Sequence, residues 1–266
     1  MEQSSIFDFM KHLWIIIVLL GVASCSEEKQ EGIDLEKSKK QKVDNLPTDQ
    51  AIRRHVQNDL DLTAADNYEM EQYSKDLNGD DVEDFIITVN LLNRALNDAV
   101  KSGKQEKAAE MGYMGYYNYI FFMDGATKKF SSGVVIPSSP MYHVKVSFTQ
   151  VLGVGDSDFT VDYRVRNMQR RKFFTMEAGS PREICQSVIF DGLGTSKTEA
   201  YDIRYEPGTF NDYNDIVEFE ATLNDTIIGR IENTYEYEPI ITPGNKEVRR
   251  WHYSPDLGKY YLIQMD

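Results

Sequence analysis

Apolar and polar side chains alternate with a period of two over most of the chain after residue 112, and this pattern restricts the possible folds more than any other feature. Within residues 158–167, for example, Val161 and Tyr163 alternate with Asp162 and Arg164. A period of two places successive side chains on opposite faces of a strand. An apolar face opposite a polar face is typical of an antiparallel sheet packed on one side, so the pattern predicts antiparallel sheets.

Further segments predict additional strands joined by short turns. Turns are expected at Asp124–Gly125, at 242–245 and at 255–258 because these segments combine glycine with aspartate, asparagine or proline. Ten or more strands with few helices predict a mainly β (α+β) fold, either an antiparallel β-sandwich or a strongly curved sheet. The sequence shows no repeat of fixed period, so a propeller is not supported. The predicted strand segments are 68–76, 84–91, a hairpin over 117–130, 143–152, 158–167, 171–178, 183–190, 198–205, 215–223, 235–241, 247–253 and 259–265.

Two segments have helical patterns instead. Residues 47–58 predict a short helix capped by Thr48 or Asp49. Residues 92–111 carry apolar side chains at helical spacing until Gly103 interrupts them, which predicts a small helical insertion at about 92–111. Residues 46–266 are therefore expected to form a single, mostly β domain that is long enough to bury one sizeable core.

The N-terminal segment predicts export. An apolar run begins at residue 13 and ends after about eleven residues, whereas a membrane-spanning helix needs about twenty, so residues 1–24 are expected to be a signal peptide. The run ends in Val22-Ala23-Ser24-Cys25, which resembles the lipobox of bacterial lipoproteins. That resemblance implies cleavage after Ser24 and attachment of diacylglycerol to Cys25, so that acyl chains of the palmitate kind hold the protein on a membrane. The alternative is an uncleaved apolar anchor with an incidental cysteine.

Residues 25–45 are expected to be the lipidated cysteine and a flexible charged tether, because they contain no apolar periodicity and no aromatic side chain. Glu27 and Glu28, which follow Ser26 just after the cysteine, resemble the surface-export signal of Bacteroidota lipoproteins. This resemblance implies the outer membrane, with the domain facing the periplasm or the cell surface. The leader is standard only from Met10 onward, so Met10 is predicted to be the true start.

The charge balance restricts the partners. The chain contains 29 Lys and Arg against 43 Asp and Glu, for a net charge of −14. A field of that sign repels phosphate backbones and attracts divalent cations, but plain solubility explains the charge better than any special role. Of two cysteines, Cys25 is predicted to be lipidated, which leaves Cys185 without a disulfide partner and predicts a buried, inert thiol.

Residues 76–84, DLNGDDVED, carry the one chemical motif of the chain. Oxygen-bearing side chains occupy positions 1, 3, 5 and 9, and a backbone carbonyl at position 7 could add a fifth oxygen. Calcium takes six to eight oxygen ligands, and a tight turn with alternate side chains pointing inward would bring these oxygens together. The alternative is an ion-free acidic turn held by side-chain-to-backbone hydrogen bonds. The predicted ligands of Ca²⁺ are Asp76, Asn78, Asp80, Val82 and Asp84.

The same segment resembles the calcium loops of FG-GAP repeats and dockerins, in which DxNGDGxxD leads directly into an apolar strand. Phe85-Ile86-Ile87 follows the motif here as that context requires. Asp81 replaces the usual glycine at position 6, and Ile87 stands where an EF-hand has its bidentate glutamate. The resemblance covers about fourteen residues and implies an ion site, not membership of a family.

Three weaker clusters each have two interpretations. The basic side chains at 164–172 could form a patch for an anionic partner or a solvated strand face. The tyrosines at 113–119, and Trp251 with Tyr253, Tyr260 and Tyr261, could form platforms for sugar rings or pack in the core. The scattered histidines suggest neither a zinc set nor a general base.

Three hypotheses of function follow. The first is a non-enzymatic outer-membrane lipoprotein that a bound calcium ion stabilises and that binds a protein or glycan partner, with no role for nucleic acid. The second is a cell-envelope hydrolase that acts on glycans or peptides, for which a deep cleft with two facing carboxylates of raised pKa would be expected. The third, which the sequence does not separate from the first, is a purely structural component of the envelope.

Overall fold

A computed structural model describes residues 48–103, 115–155, 157–224 and 237–263. The chain divides into two compact units, residues 1–52 and 53–266. Of the first unit, only residues 48–52 are described, and they begin the helix Thr48–Asp59, which we label α1. The predictions for the signal peptide, for Cys25 and for the tether lie outside the described residues.

The described residues form twelve strands in two antiparallel sheets, which confirms the prediction of a mainly β fold. A four-stranded sheet has the order β1-β2-β3-β4, and an eight-stranded sheet runs from β5 to β12 with every strand beside its neighbour in sequence. The strands are β1 (Glu69–Lys75), β2 (Asp84–Asn90), β3 (Asn118–Met123), β4 (Val134–Val135), β5 (Lys145–Phe148), β6 (Asp158–Val165), β7 (Met168–Glu177), β8 (Ser180–Asp191), β9 (Glu199–Glu206), β10 (Asp215–Leu223), β11 (Ile241–Ser254) and β12 (Lys259–Leu262).

One apolar core lies between the two sheets. Ile86 of β2 and Phe122 of β3 pack there against Phe159 of β6 and Phe174 of β7, all of them nearly or completely buried. The rings of Phe159 and Phe174 are stacked at 5.2 Å between centroids. The apolar set that the alternation predicted for β6 therefore faces the small sheet.

A second core lies on the other side of β7 and β8, where the large sheet folds over itself. Phe173 and Ile184 pack there against Ile216 of β10, Tyr253 of β11 and Tyr260 of β12. Strand β8 pairs with β9 only at its last two residues, so the first part of β8 is free to face this core. The expectation that each sheet packs on one side only is therefore wrong for β7. Phe174 of this strand lies in the first core, and Phe173 lies in the second.

Two helices are described. Helix α1 (Thr48–Asp59) confirms the predicted N-terminal helix. Helix α2 (Leu92–Lys101) lies between β2 and β3 and confirms a helical insertion that ends before Gly103, which has a left-handed backbone with φ +66°. The remainder of the predicted insertion, from residue 104, lies outside the described residues.

One predicted turn is wrong. Residues 242–245 lie within strand β11, although they contain both proline and glycine. The pairing of β10 with β11 shifts register on either side of Phe219, so the proline stands in an irregular part of the ladder. A Cβ atom at Gly244 would lie 2.1 Å from the carbonyl oxygen of Glu220, and this close approach explains the glycine.

Candidate cation loop and its surroundings

The predicted calcium motif forms the loop between β1 and β2. Strand β1 ends at Lys75 and β2 begins at Asp84, so the whole motif except its last residue is irregular. Gly79 has φ +77° and Asp81 has φ +64°, both in the left-handed region. Asp81 thus adopts the conformation that glycine usually supplies at position 6, as its tolerance of this region predicts.

Within the loop, alternate side chains accept hydrogen bonds from backbone N–H groups ahead of them. Oδ1 of Asp76 accepts from the amides of Asn78 (3.2 Å) and Gly79 (2.7 Å), and its Oδ2 accepts from Asp81 (3.0 Å). Oδ1 of Asn78 accepts from the Asp80 amide at 3.0 Å, and Oδ1 of Asp80 accepts from the Val82 amide at 2.9 Å. The bond from Gly79, with those from other loop amides, lowers the pKa of Asp76. The loop is thus built from overlapping Asx turns.

Asp84, the last residue of the motif, holds the buried side of the loop by hydrogen bonds to backbone amides. It is fully buried, and its Oδ2 and Oδ1 accept from the amides of Leu77 (3.0 Å) and Gly125 (2.8 Å). Burial raises the pKa of Asp84 in spite of these two hydrogen bonds. Its carboxylate therefore joins the start of the loop, the start of β2 and the turn after β3.

The structure brings the predicted ligands into one loop, but it does not aim them all at one point. Asp76, Asn78 and Asp80 lie on the loop itself, whereas the Asp84 carboxylate is directed at buried amides. The Val82 side chain is 40% exposed. Within the described residues, no group of three or more His, Cys, Asp or Glu side chains is arranged to hold a metal ion.

Two hollows open beside this loop. One, of about 420 Å³, lies between the loop and the residues Gly155 and Ser157. The other, of about 350 Å³, lies between Asn78 and the side chains of Phe122 and Met176. Asn78 and Ser157 line both, so the loop is a wall of a recess that solvent ions can reach.

The buried aspartate at the entry to a strand recurs twice, which the sequence reasoning missed. Oδ2 of Asp158, the first residue of β6, accepts from the Leu152 amide at 2.7 Å. Oδ2 of Asp215, the first residue of β10, accepts from the Thr209 amide at 3.1 Å. The signal that could have revealed both is an aspartate placed between a loop rich in Gly, Asn or Asp and an apolar run, as in Asp84-Phe85.

Asp215 is also part of a buried ionic cluster. Its Oδ1 lies 3.1 Å from Nδ1 of His252, and its Oδ2 lies 3.4 Å from the guanidinium of Arg250. The Thr209 hydroxyl donates to the same Oδ2 at 2.5 Å. The His252 ring packs against Phe210 at 4.7 Å between centroids. These contacts tie the loop before β10 to strand β11.

A further buried carboxylate, that of Glu218, is fully enclosed in the large sheet. It accepts from the hydroxyl of Ser187 (2.7 Å), from Nε1 of Trp251 (2.8 Å) and from Nε of Arg249 (2.5 Å). Each oxygen of the carboxylate thus has a donor, as a buried charge requires. The cluster links β8, β10 and β11.

Two of the five basic side chains in the predicted cluster at 164–172 are paired with carboxylates. Arg171 forms two hydrogen bonds with Asp162, at 2.6 and 2.8 Å, and Lys172 pairs with Glu183 at 2.5 Å. Arg164 is buried and lies over the Phe190 ring, with 4.8 Å from its guanidinium carbon to the centroid. The interpretation as a solvated strand face is therefore wrong for Arg164, because its charge lies inside the fold.

The aromatic and thiol predictions have mixed outcomes. Tyr253 and Tyr260 are buried in the second core, which confirms their interpretation as core residues. Tyr116 is 68% exposed, and Tyr113 lies outside the described residues. Cys185 is buried, and burial raises the pKa of its thiol to about 12, as expected of an inert cysteine.

None of the helices in the described residues is long and apolar enough to cross a membrane. Comparisons with protein-family models, with characterised proteins and with solved structures found no significant match.

Proposed function

We propose that this protein is a lipoprotein of the outer membrane, held by diacylglycerol on Cys25, whose β domain is a non-enzymatic binding or structural component of the cell envelope with one structural calcium loop. The leader and its Val22–Cys25 motif support the anchor. The geometry of residues 76–84 is the observation that carries the calcium part.

The loop fits a hard cation in its chemistry. Its donors are all oxygens, and Asp76, Asn78 and Asp80 repeat at every second position of a turn that faces solvent. Oδ2 of Asp76 and Oδ1 of Asn78 and Asp80 each accept one backbone N–H in the loop and keep a second lone pair, so the Asx turns do not prevent ligation. A bound calcium ion would be held by these three side chains and by the Val82 carbonyl, whereas the predicted ligand Asp84 would support the loop from the buried side, because both of its oxygens accept from backbone amides.

Relief of repulsion is the physical reason for binding. Asp76, Asp80, Asp81 and Glu83 stand within eight residues, and like charges at such spacing repel one another. Extracellular calcium modules bind with dissociation constants of about 10⁻⁴–10⁻³ M. A site filled at ten times its dissociation constant would stabilise the fold by about 1.4 kcal/mol.

Thermal unfolding of the full-length protein tests this part of the proposal. A chelator-treated sample is titrated with calcium and then with magnesium, and we expect a saturable rise in Tm with calcium that Asp80→Ala abolishes. The matched control is Asp256→Ala, which removes an exposed aspartate from another turn and should leave the rise intact. No rise up to millimolar calcium would show that the loop is only an acidic turn.

Metabolic labelling with an alkyne fatty acid tests the anchor. The wild-type protein should take up the label and partition into the outer-membrane fraction, and Cys25→Ala should lose both properties. An unlabelled wild-type protein would refute the lipoprotein proposal without bearing on calcium.

The described carboxyls favour a binding or structural role over the hydrolase. Burial raises the pKa of Asp84 and of Asp158. Each of them accepts backbone N–H groups that close its own loop. The raised pKa values of Asp84 and Asp158 are therefore explained by a structural role in their own loops, and they do not require a catalytic role.

A further inference from the structure

We propose that Asn78 is a site of spontaneous covalent modification, at which the Asn78–Gly79 peptide converts through a succinimide to an aspartyl or isoaspartyl residue. Asn78 is the only asparagine of the sequence that precedes glycine. Both residues are exposed. A Cβ atom added at Gly79 would meet nothing within 4 Å, so no neighbouring group crowds the space beside Gly79 in which the ring would form.

The conversion needs only water. The backbone nitrogen of Gly79 attacks Cγ of Asn78 and loses its proton, the new N–Cγ bond closes a five-membered ring, and the Cγ–Nδ2 bond breaks to release ammonia. Water then opens the ring at one of its two carbonyls. Opening at one carbonyl gives aspartate, and opening at the other gives isoaspartate with the backbone routed through the former side chain.

The loop geometry favours each part of the first step. The hydrogen bond from the Asp80 amide to Oδ1 of Asn78 (3.0 Å) folds the Asn78 side chain over its own following peptide, which brings Cγ beside the Gly79 nitrogen. The same bond places a donor on the oxygen that gains negative charge during attack. Oδ1 of Asp76 accepts the Gly79 N–H at 2.7 Å, so a carboxylate faces the proton that must leave.

The chain offers an internal comparison at Asn211. Its Oδ1 accepts from the Tyr213 amide at 3.0 Å, so its side chain makes the same Asx turn. The next residue is Asp212 instead of glycine, and Nδ2 of Asn211 donates to the Tyr253 carbonyl at 2.8 Å. Asn211 thus shares the turn but lacks the following glycine, and its side-chain nitrogen is held by a hydrogen bond.

The modification would alter the cation loop, a consequence that rests on the proposed function. The aspartyl product adds a carboxylate at position 3, where Asn78 supplies a neutral oxygen. The isoaspartyl product lengthens the backbone by one methylene and breaks the turn to Asp80. Calcium held by the Asn78 oxygen would restrain the side chain and slow the reaction.

The test is incubation of the folded full-length protein at mildly alkaline pH, followed by peptide mass spectrometry. We expect the peptide that contains Asn78 to gain about 1 Da. The gain should proceed about tenfold faster than at Asn211, a difference of about 1.4 kcal/mol in activation free energy. Asn78→Gln should abolish it. Equal rates at Asn78 and Asn211 would overturn the proposal.

Two further measurements separate geometry from sequence. The folded protein should convert at least as fast as the chain unfolded in urea, and strong protection on folding would refute the favourable geometry. Asp76→Asn, with its melting curve checked, should slow the modification of the folded protein severalfold, and an unchanged rate would overturn the role assigned to the Asp76 carboxylate.

In a calcium titration, Asn78→Asp should reach its midpoint at a lower calcium concentration than wild type. Failure of both proteins to bind would refute the calcium proposal alone.

Discussion

Replacement of Asp84 by alanine should destabilise the fold far more than replacement of any aspartate on the surface of the same loop. The Asp84 carboxylate is fully buried and accepts from Leu77 and Gly125, and both of these residues are buried as well. Alanine would leave two buried amides without an acceptor. Each such amide costs about 1–3 kcal/mol.

The two losses add to about 2–6 kcal/mol, and one term reduces them. Burial raises the pKa of Asp84, so its removal also ends the cost of holding a carboxylate away from water. We therefore expect a net loss of about 2–4 kcal/mol in the free energy of unfolding. Asp84→Asn should recover part of it, because the amide oxygen can still accept from one of the two N–H groups.

Asp80→Ala is the matched control. Asp80 is exposed, and its carboxylate accepts a hydrogen bond from the exposed amide of Val82. Water replaces that bond, so the loss should stay within about 0.5 kcal/mol.

Urea unfolding of both variants and the wild type, followed by circular dichroism in chelator, measures the difference through the midpoint at constant m. If Asp84→Ala unfolds within about 0.5 kcal/mol of Asp80→Ala, the buried amides do not depend on Asp84. The argument for a carboxylate lock at the start of β2 would then be refuted.

Three other predictions use the same unfolding assay or its relatives. The pKa of Asp158 is raised in the folded protein, so its contribution to stability is fully present below the ordinary pKa of 3.8 and is lost as pH rises through the folded-state pKa. Over that pH range, the wild type should lose stability relative to Asp158→Asn. A stability difference that does not change with pH would contradict this prediction. Glu218→Ala should cost about 2–4 kcal/mol because it leaves the Ser187 hydroxyl and Nε1 of Trp251 without their acceptor. Glu220→Ala, which removes an exposed ion pair with Lys246, should cost less than about 1 kcal/mol. Equal losses would refute the buried cluster. Cys185 should react with a maleimide only as the protein unfolds in urea, and rapid labelling in native buffer would show that the thiol is accessible.

Local patterns predicted the elements well and their surroundings poorly. The alternation in β6 correctly assigned Phe159, Val161 and Tyr163 to one apolar face. The opposite face looked like a solvent face because it carries Asp162 and Arg164, yet Arg164 is buried. A strand pattern reports which side chains share a face, but it does not report what another layer later places over that face.

The turn at 242–245 illustrates the same limit. Proline and glycine in succession favour a turn locally, but the chain continues there as β11 because pairing with β10 and a shift of register accommodate Pro243 and Gly244. Long-range pairing outweighed a local preference, and no local window of sequence contains that pairing.

The sequence by itself determined the strand content, the two helices and the left-handed, Asx-turn course of residues 76–84, because each depends on side chains within a few positions of one another. Only the tertiary structure decided what Asp84, Asp158 and Asp215 do. Their buried carboxylates accept hydrogen bonds from amides within their own loops. Asp84 also accepts from Gly125, and Asp215 also contacts His252, and both of these partners are distant in sequence. A buried charge must find donors, and which donors lie within reach depends on how strands far apart in sequence pack together.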